Sequence, residues 1–235
     1  MRYGTEHKAA TRQQVIETAA RRFRADGIDA TGIAALMAEA GLTHGGFYAH
    51  FPSKEALVQE AITVAMGQMT AKLADLMETA EAGAGEGKRD GSKSGGRKGF
   101  DKFLRTYLTP THRDHPEEGC ATAALATEIA RHPAKTRHAF TRELQVMVQL
   151  IAAHLSPAMS ASKRQDTALA IFSTLMGSLQ LARAVSDPDL SRRFLDQGIA
   201  AARLLAGSGE TSPTPDRSAT ERSATERKSR RKKAA

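Results

Sequence analysis

The sequence predicts an all-α protein, with an N-terminal three-helix head followed by a helical bundle. Apolar residues recur at three- and four-residue spacing through segment after segment, and no run keeps the strict alternation of a strand. Pro133, Pro157 and Pro188 fall between these periods, where a residue that cannot continue a helix does least harm. The composition is 40% apolar with no tryptophan, which suits packing rich in alanine and leucine.

A first helix is expected from about Ala9 to Ala25. Val15, Ile16, Ala19, Ala20 and Phe23 form its inner face, Arg12, Arg21, Arg22 and Arg24 stay wet, and Asp26-Gly27 ends it. Ile33, Leu36 and Met37 give a second, short helix one apolar face. Gly41 stands where that helix must stop, because glycine takes the left-handed conformation without steric cost. Leu42 plugs the turn and Thr43 can cap a third helix, in which Phe47 and Phe51 point inward while His44, Gly45, Tyr48 and Ala49 point outward. Pro52-Ser53-Lys54-Glu55 closes it and opens a long helix through Leu57, Ile62, Val64, Met69, Leu73 and Leu76 towards Thr79. The head is therefore placed at residues 8–55 and the bundle at 56–206.

The stretch Ala82 to Lys98 has six glycines and no apolar period, and reads as a flexible linker. Beyond it, helices are expected at Gly99 to Thr109, Gly119 to Arg131, Ala134 to Leu155, Ser162 to Val185 and Asp189 to Ala206. Residues 207–235 contain Pro213 and Pro215, a repeated Ser-Ala-Thr-Glu-Arg and a final basic run, a composition that predicts a disordered basic tail.

Two helices joined by a short glycine turn are the helix-turn-helix layout, whose second helix enters the DNA major groove. The run from Ile33 to Leu57 resembles the TetR family of bacterial transcriptional regulators. The resemblance rests on Ile33, Ala34, Ala40, Gly41, Leu42, Thr43, Gly45, Phe47, Tyr48, His50, Phe51, Ser53, Lys54, Glu55 and Leu57, in order and without a gap. The chain departs at His44, Gly46 and Ala49, where the family commonly has lysine, threonine and tyrosine. These are outward positions, so the departures bear on the operator sequence and leave the fold untouched.

Candidate DNA contacts are Thr31, Thr43, His44, Gly45, Gly46, Tyr48, His50 and Lys54. The Thr31 hydroxyl either meets a phosphate or simply caps the helix behind it. Thr43 and His44 start the recognition helix, where His44 can donate to a guanine edge or a phosphate. Gly45 and Gly46 cost about 1 kcal/mol each relative to alanine inside a helix, a cost that close backbone approach to DNA can offset. The resemblance implies that Tyr48 and His50 contact DNA. Lys54 sits at a helix start, where a cation opposes the helix dipole, and a phosphate partner would account for it.

The net charge of +8 is unevenly spread. The tail has eight Lys/Arg against four Asp/Glu, the linker five against two, and residues 1–56 seven against six. Specific affinity should therefore come from a few placed contacts, with the tails adding a diffuse, salt-sensitive attraction to DNA. A non-specific DNA-coating protein working through those tails alone is the alternative reading, and a helix-turn-helix head argues against it.

No run reaches the roughly 18 to 20 apolar residues of a membrane helix, the N-terminus lacks a signal-peptide core, and one cysteine allows no internal disulfide. A cytoplasmic protein is expected. His112, Asp114, His115 and Glu117 cluster without a second group at metal spacing, and no nucleophile elbow or phosphate-cradling loop is present. No enzyme activity, cofactor or metal is expected.

The resemblance further implies a homodimer formed through the last two helices, which sets two heads on a pseudo-palindromic double-stranded operator. It also implies a small-molecule inducer bound within the bundle. Phe103, Tyr107, Met147, Phe172 and Met176 are candidate pocket linings, though apolar stripes of this kind also make ordinary core. Gly119-Cys120 resembles a helix start found in the Gly-Cys subgroup that includes the N-ethylmaleimide-reductase repressor, which responds to electrophiles and oxidants. A thiol in the first turn of a helix gains from the positive end of the dipole, and His112, Arg113 and His115 precede it. Glu117 and Glu118 oppose that effect, and a lone cysteine also serves as a small buried apolar group.

Overall fold

The computed structural model describes residues 2–82 and 94–207, and every regular element among them is helical. In order these are α1 (Arg2–Asp26), α2 (Ile33–Glu39), a 3-10 turn (His44–Ala49), α3 (Lys54–Ala82), α4 (Ser94–Tyr107), α5 (Pro110–Asp114), a second 3-10 turn (Pro116–Glu118), α6 (Ala121–Ile129), α7 (Ala134–Ala153), α8 (Ala161–Ala184) and α9 (Pro188–Leu205).

The expected helices are present, with shifted ends. α1 starts seven residues before Ala9, at Arg2. α4 begins at Ser94, inside the stretch expected to be linker; of that stretch, residues 83–93 lie outside the described residues. The tail from 208 onward also lies outside them. α5 and the second 3-10 turn were not anticipated. Their signal was local: the Thr109 side chain accepts the His112 backbone N–H at 3.0 Å, and Pro110 follows as the first helical residue.

Two apolar cores result. The head core gathers Val15, Ile16, Ala19, Ala20 and Phe23 of α1 with Leu36, Met37, Phe47 and Phe51. It also takes Leu57, Val58, Ala61, Ile62, Ala65 and Met66 from α3, and Ala121, Leu125 and Ile129 from α6. The bundle core continues along α3 through Leu73 and Met77 to Phe103, Tyr107, Val148, Ile151, Ile171, Leu175 and Leu195. Head packing is thus not confined to residues 8–55, because α3 runs through both cores and α6 is wedged between them. α8 packs along α9, but Leu169 and Leu181 of α8 and Leu190, Leu204 and Leu205 of α9 remain exposed. No described helix is long and apolar enough to cross a membrane.

Candidate nucleic-acid interface and effector region

Gly41 adopts φ +72°, and the Leu42 N–H closes the turn onto the Met37 carbonyl at 2.8 Å. Thr43 takes an extended conformation at the start of the next element, without a side-chain capping bond. That element is a 3-10 turn, not the α-helix expected. Gly45 and Gly46 supply little α propensity, and the turn is short, so its shape is set by the packing beneath it. Phe47 and Phe51 stack with ring centroids 5.5 Å apart and are fully buried. Arg12 lies over the Phe51 ring at 4.7 Å, reaches the His50 carbonyl at 3.4 Å and pairs with Glu60. The turn is therefore held from behind by apolar and cationic contacts.

Its outer side is free. Thr43, His44, Gly45, Tyr48 and Ala49 are exposed, Tyr48 by 63%, and the His44 and Tyr48 rings meet edge-on at 6.3 Å. A Cβ added at Gly45 would meet nothing within 4 Å, so only an outside surface gives that glycine a steric reason. Gly46 is half-buried, close to the Thr43 and Met37 side chains. His50 is half-buried beside Phe51, and its Nδ1 is buried without a hydrogen-bond partner.

Two expected contacts are placed differently. Thr31 is buried, and its hydroxyl donates to the Gly27 carbonyl at 2.6 Å; Gly32, not Thr31, occupies the N-cap of α2. The Lys54 ammonium donates to the Ile28 carbonyl at 2.6 Å, which offsets the unfavourable dipole position without a phosphate. Both residues brace the α1–α2 loop behind the exposed row. The same loop receives a residue that no local pattern singled out: Glu128 of α6 accepts the N–H groups of Ile28 at 2.8 Å and Asp29 at 3.2 Å. Glu55 at the start of α3 accepts from His132 at 3.1 Å and from the Thr136 hydroxyl, a second tie between head and bundle.

The five expected pocket residues gather at the bundle core. Phe103, Tyr107, Met147 and Phe172 are buried in the bundle core, with the Tyr107 ring 6.0 Å from Phe103 and 6.3 Å from Phe172, and Met176 is only partly buried against them. An apolar stripe at helical spacing here became close-packed core. Tyr107 also borders a cleft of about 340 Å³ between α3 and the α4–α5 corner.

Cys120 is buried at the N-cap of α6. Its N–H donates to His112 Nε2 at 2.9 Å, while His112 Nδ1 lies 2.6 Å from the Tyr107 carbonyl. The carbonyl can only accept, so Nδ1 carries the proton and His112 is the neutral Nδ1–H tautomer. Burial, followed by the nearby Arg183 and Lys72 charges, pulls the His112 pKa down from its ordinary value near 6.5, although the bond to the Tyr107 carbonyl opposes this. The Tyr107 hydroxyl is buried without a well-formed hydrogen bond, its electrostatic neighbours are Cys120 and Arg183, and burial holds its pKa well above the usual phenol value. Arg24 of α1 donates to the Glu117 carbonyl at 2.7 Å just upstream. Among the described residues no group of three His, Cys, Asp or Glu side chains forms a metal-binding arrangement.

Comparison with known proteins agrees with this geometry. The family model described as "Bacterial regulatory proteins, tetR family" matches residues 15–61. An uncharacterized HTH-type transcriptional regulator, YerO of Bacillus subtilis (strain 168), is 36% identical over 67 residues, covering 28% of this chain and 23% of that protein, so the shared stretch is under a quarter of the relative's length. The fold of the reduced form of E. coli NemR superimposes with a TM-score of 0.64 at 18% identity over 83% of this chain and 96% of that one. A TetR-family regulator from Cytophaga hutchinsonii gives 0.65 at 17% over 88% and 98%. The regulator FadR from Bacillus subtilis, in complex with stearoyl-CoA, gives 0.59 at 14% over 84% and 99%.

Proposed function

We propose that the chain is a DNA-binding transcriptional regulator of the TetR type, a homodimeric repressor that reads a pseudo-palindromic operator and is released by a small molecule or an electrophile. The observation that carries DNA reading is the exposed row Thr43, His44, Gly45 and Tyr48 on a turn whose inner side is locked by Phe47, Phe51 and Arg12. A recognition surface needs unspent donors outside and a rigid support inside, and this turn has both. His50 and Gly46 flank the row, whereas Thr31 and Lys54 serve as supports for the loop behind it. The exposed leucines of α8 and α9 support self-association through those two helices.

Release by cysteine modification is supported by the placement of Cys120. Its thiol starts the helix whose other end holds the head through Glu128, and its buried neighbour, the Tyr107 hydroxyl, has no competing hydrogen bond. A second cleft, of about 260 Å³ and lined by Arg24, Gln68, Met69, Lys72, Glu118 and Gly119, opens next to it.

The test is binding of the wild-type protein to its own upstream DNA in moderate salt with competitor, before and after a thiol-reactive electrophile. Specific binding that is lost on treatment, and kept by Cys120→Ser, supports a thiol-released repressor. Specific binding that ignores the reagent leaves release to a non-covalent ligand. Binding that competitor DNA abolishes and salt weakens steeply returns the non-specific coating reading.

A further inference from the structure

Of the expected pocket residues Tyr107 lines the cleft between α3 and the α4–α5 corner, whose chemistry is unlike the rest of the core. Met69, Leu73 and Tyr107 give it an apolar side. Its cations outnumber its anions. Lys72 forms no ion pair with a described residue. Arg105 shares the single Asp101 carboxylate with Arg203, so one positive charge there is left uncompensated. The ring of His115 already meets the Glu117 carboxylate at 3.1 Å. The one carboxylate in the lining, Glu118, faces the Arg24 charge on the adjoining side. A volume of about 340 Å³ lies within the size range of small-molecule sites.

We propose that this cleft binds a small organic anion with an apolar body, drawn by Lys72 and Arg105, and that His112 registers the anion by taking up a proton. The proposal rests on the small-molecule release put forward above and supplies its ligand class.

The groups that face His112 set the direction. Burial keeps the ring neutral, and the cations Arg183 of α8 and Lys72 of α3 add to it; the Tyr107 ring of α4 packs edge-on at 4.8 Å, and the Cys120 N–H occupies Nε2. Arg105, His115 and Glu118 share the cleft, and Arg113 of the ring's own helix turns away to Asp114 and Ser191. An anion beside Lys72 cancels one of these two cations and favours the imidazolium. Protonation falls on Nε2, because Nδ1 already carries a hydrogen. The Cys120 N–H then faces an N–H and loses its acceptor. The start of α6 is released, and α6 is the helix that carries Glu128 to the head. The step balances as one proton from solvent onto Nε2.

Calorimetric titration of the full chain at pH 7 with benzoate and octanoate, and with benzamide and octanamide as neutral isosteres, tests this in two buffers of different ionisation enthalpy. The acids are expected to bind at least about tenfold more tightly than the amides. Uptake should approach one proton per molecule bound, and affinity should rise from pH 8 to pH 6. Lys72→Met should weaken the acids by about tenfold. His112→Gln, whose amide oxygen can still accept the Cys120 N–H, should abolish proton uptake. Equal binding of acid and amide, no binding of either acid, an unchanged affinity in Lys72→Met, or binding without a proton would each overturn the proposal. An acid that binds with its proton yet leaves operator affinity unchanged supports the anion site while removing small-molecule release.

Discussion

Removing the Glu128 carboxylate should loosen the DNA-reading head more than its half-exposed position suggests. It accepts two backbone N–H groups of the α1–α2 loop, at 2.8 and 3.2 Å. Hydrogen bonds to a charged group contribute about 1.5–3 kcal/mol each. The two are unequal here. Asp29 is exposed, so water replaces its lost partner, whereas Ile28 is buried and its N–H is left without an acceptor. Alanine returns a few tenths of a kcal/mol of helix propensity. Glu128→Ala should therefore destabilise the protein by about 2 kcal/mol, mostly through Ile28. Urea denaturation with an unchanged slope reads the total, and amide hydrogen exchange at Ile28 reads the site. A cycle with Gly27 isolates the contact. Gly27 has φ +87°, and a Cβ there would lie 2.7 Å from a Glu128 carboxylate oxygen. Gly27→Ala should cost about 1–2 kcal/mol for the backbone alone, plus displacement of the carboxylate, and the second part should vanish once Glu128 is alanine. A coupling energy under about 0.5 kcal/mol with unaltered Ile28 exchange would refute this reasoning.

Other outcomes follow from single placements. Tyr48→Ala should leave stability within about 0.5 kcal/mol, since the ring is 63% exposed, yet weaken operator binding in a titration; equal affinity removes Tyr48 from the interface. His112 has a folded pKa below its ordinary value near 6.5, so between those two values the unfolded chain holds more protons. Its contribution to stability is complete above pH 6.5 and is lost as pH falls below it, and His112→Gln should flatten that part of a denaturation profile from pH 5 to 7. Leu204→Glu, at a position 63% exposed in the single chain, should leave helix content intact while sedimentation shows a monomer; a persisting dimer would move the interface off α9.

The parts of this structure that were legible in the sequence are those whose cause is local. Gly41 could be read because a chain reversal after a short helix needs a left-handed residue, and it has φ +72°. Phe47 and Phe51 could be read because four-residue spacing puts them on one face, and they stack there. What escaped depends on partners far along the chain. Nothing near Lys54 signals that its ammonium belongs to the Ile28 carbonyl, and nothing near Glu128 signals a loop 100 residues upstream. Thr31 stands just ahead of α2, where its hydroxyl could meet a phosphate or cap the helix, and it is instead buried and donates to the Gly27 carbonyl. That Phe103, Met147 and Phe172 belong to the bundle core has a related reason. Helical periodicity identifies which side chains face inward, and it carries no information on whether opposing helices close the gap.

The long-range bonds have a common address. α6 is nine residues long, about 13 Å at the usual helical rise, too short to bend appreciably. Its first end is fixed by the Cys120 N–H on His112, and the segment before it by Arg24 on the Glu117 carbonyl. Its last turn carries Glu128 to the α1–α2 loop, and the corner that follows carries His132 and Thr136 to Glu55. Between these ends Ala121, Leu125 and Ile129 pack into the head core, while Cys120 and Ala123 face the bundle core. Apolar contacts of this kind tolerate a small slide, because they are non-directional and change little over a fraction of an ångström. Hydrogen bonds do not, because their energy falls steeply with angle and distance. A displacement at the cysteine end would therefore strain the Glu128 bonds to Ile28 and Asp29, and with them the ties of His132 and Thr136 to Glu55, before it disturbed the apolar contacts between them.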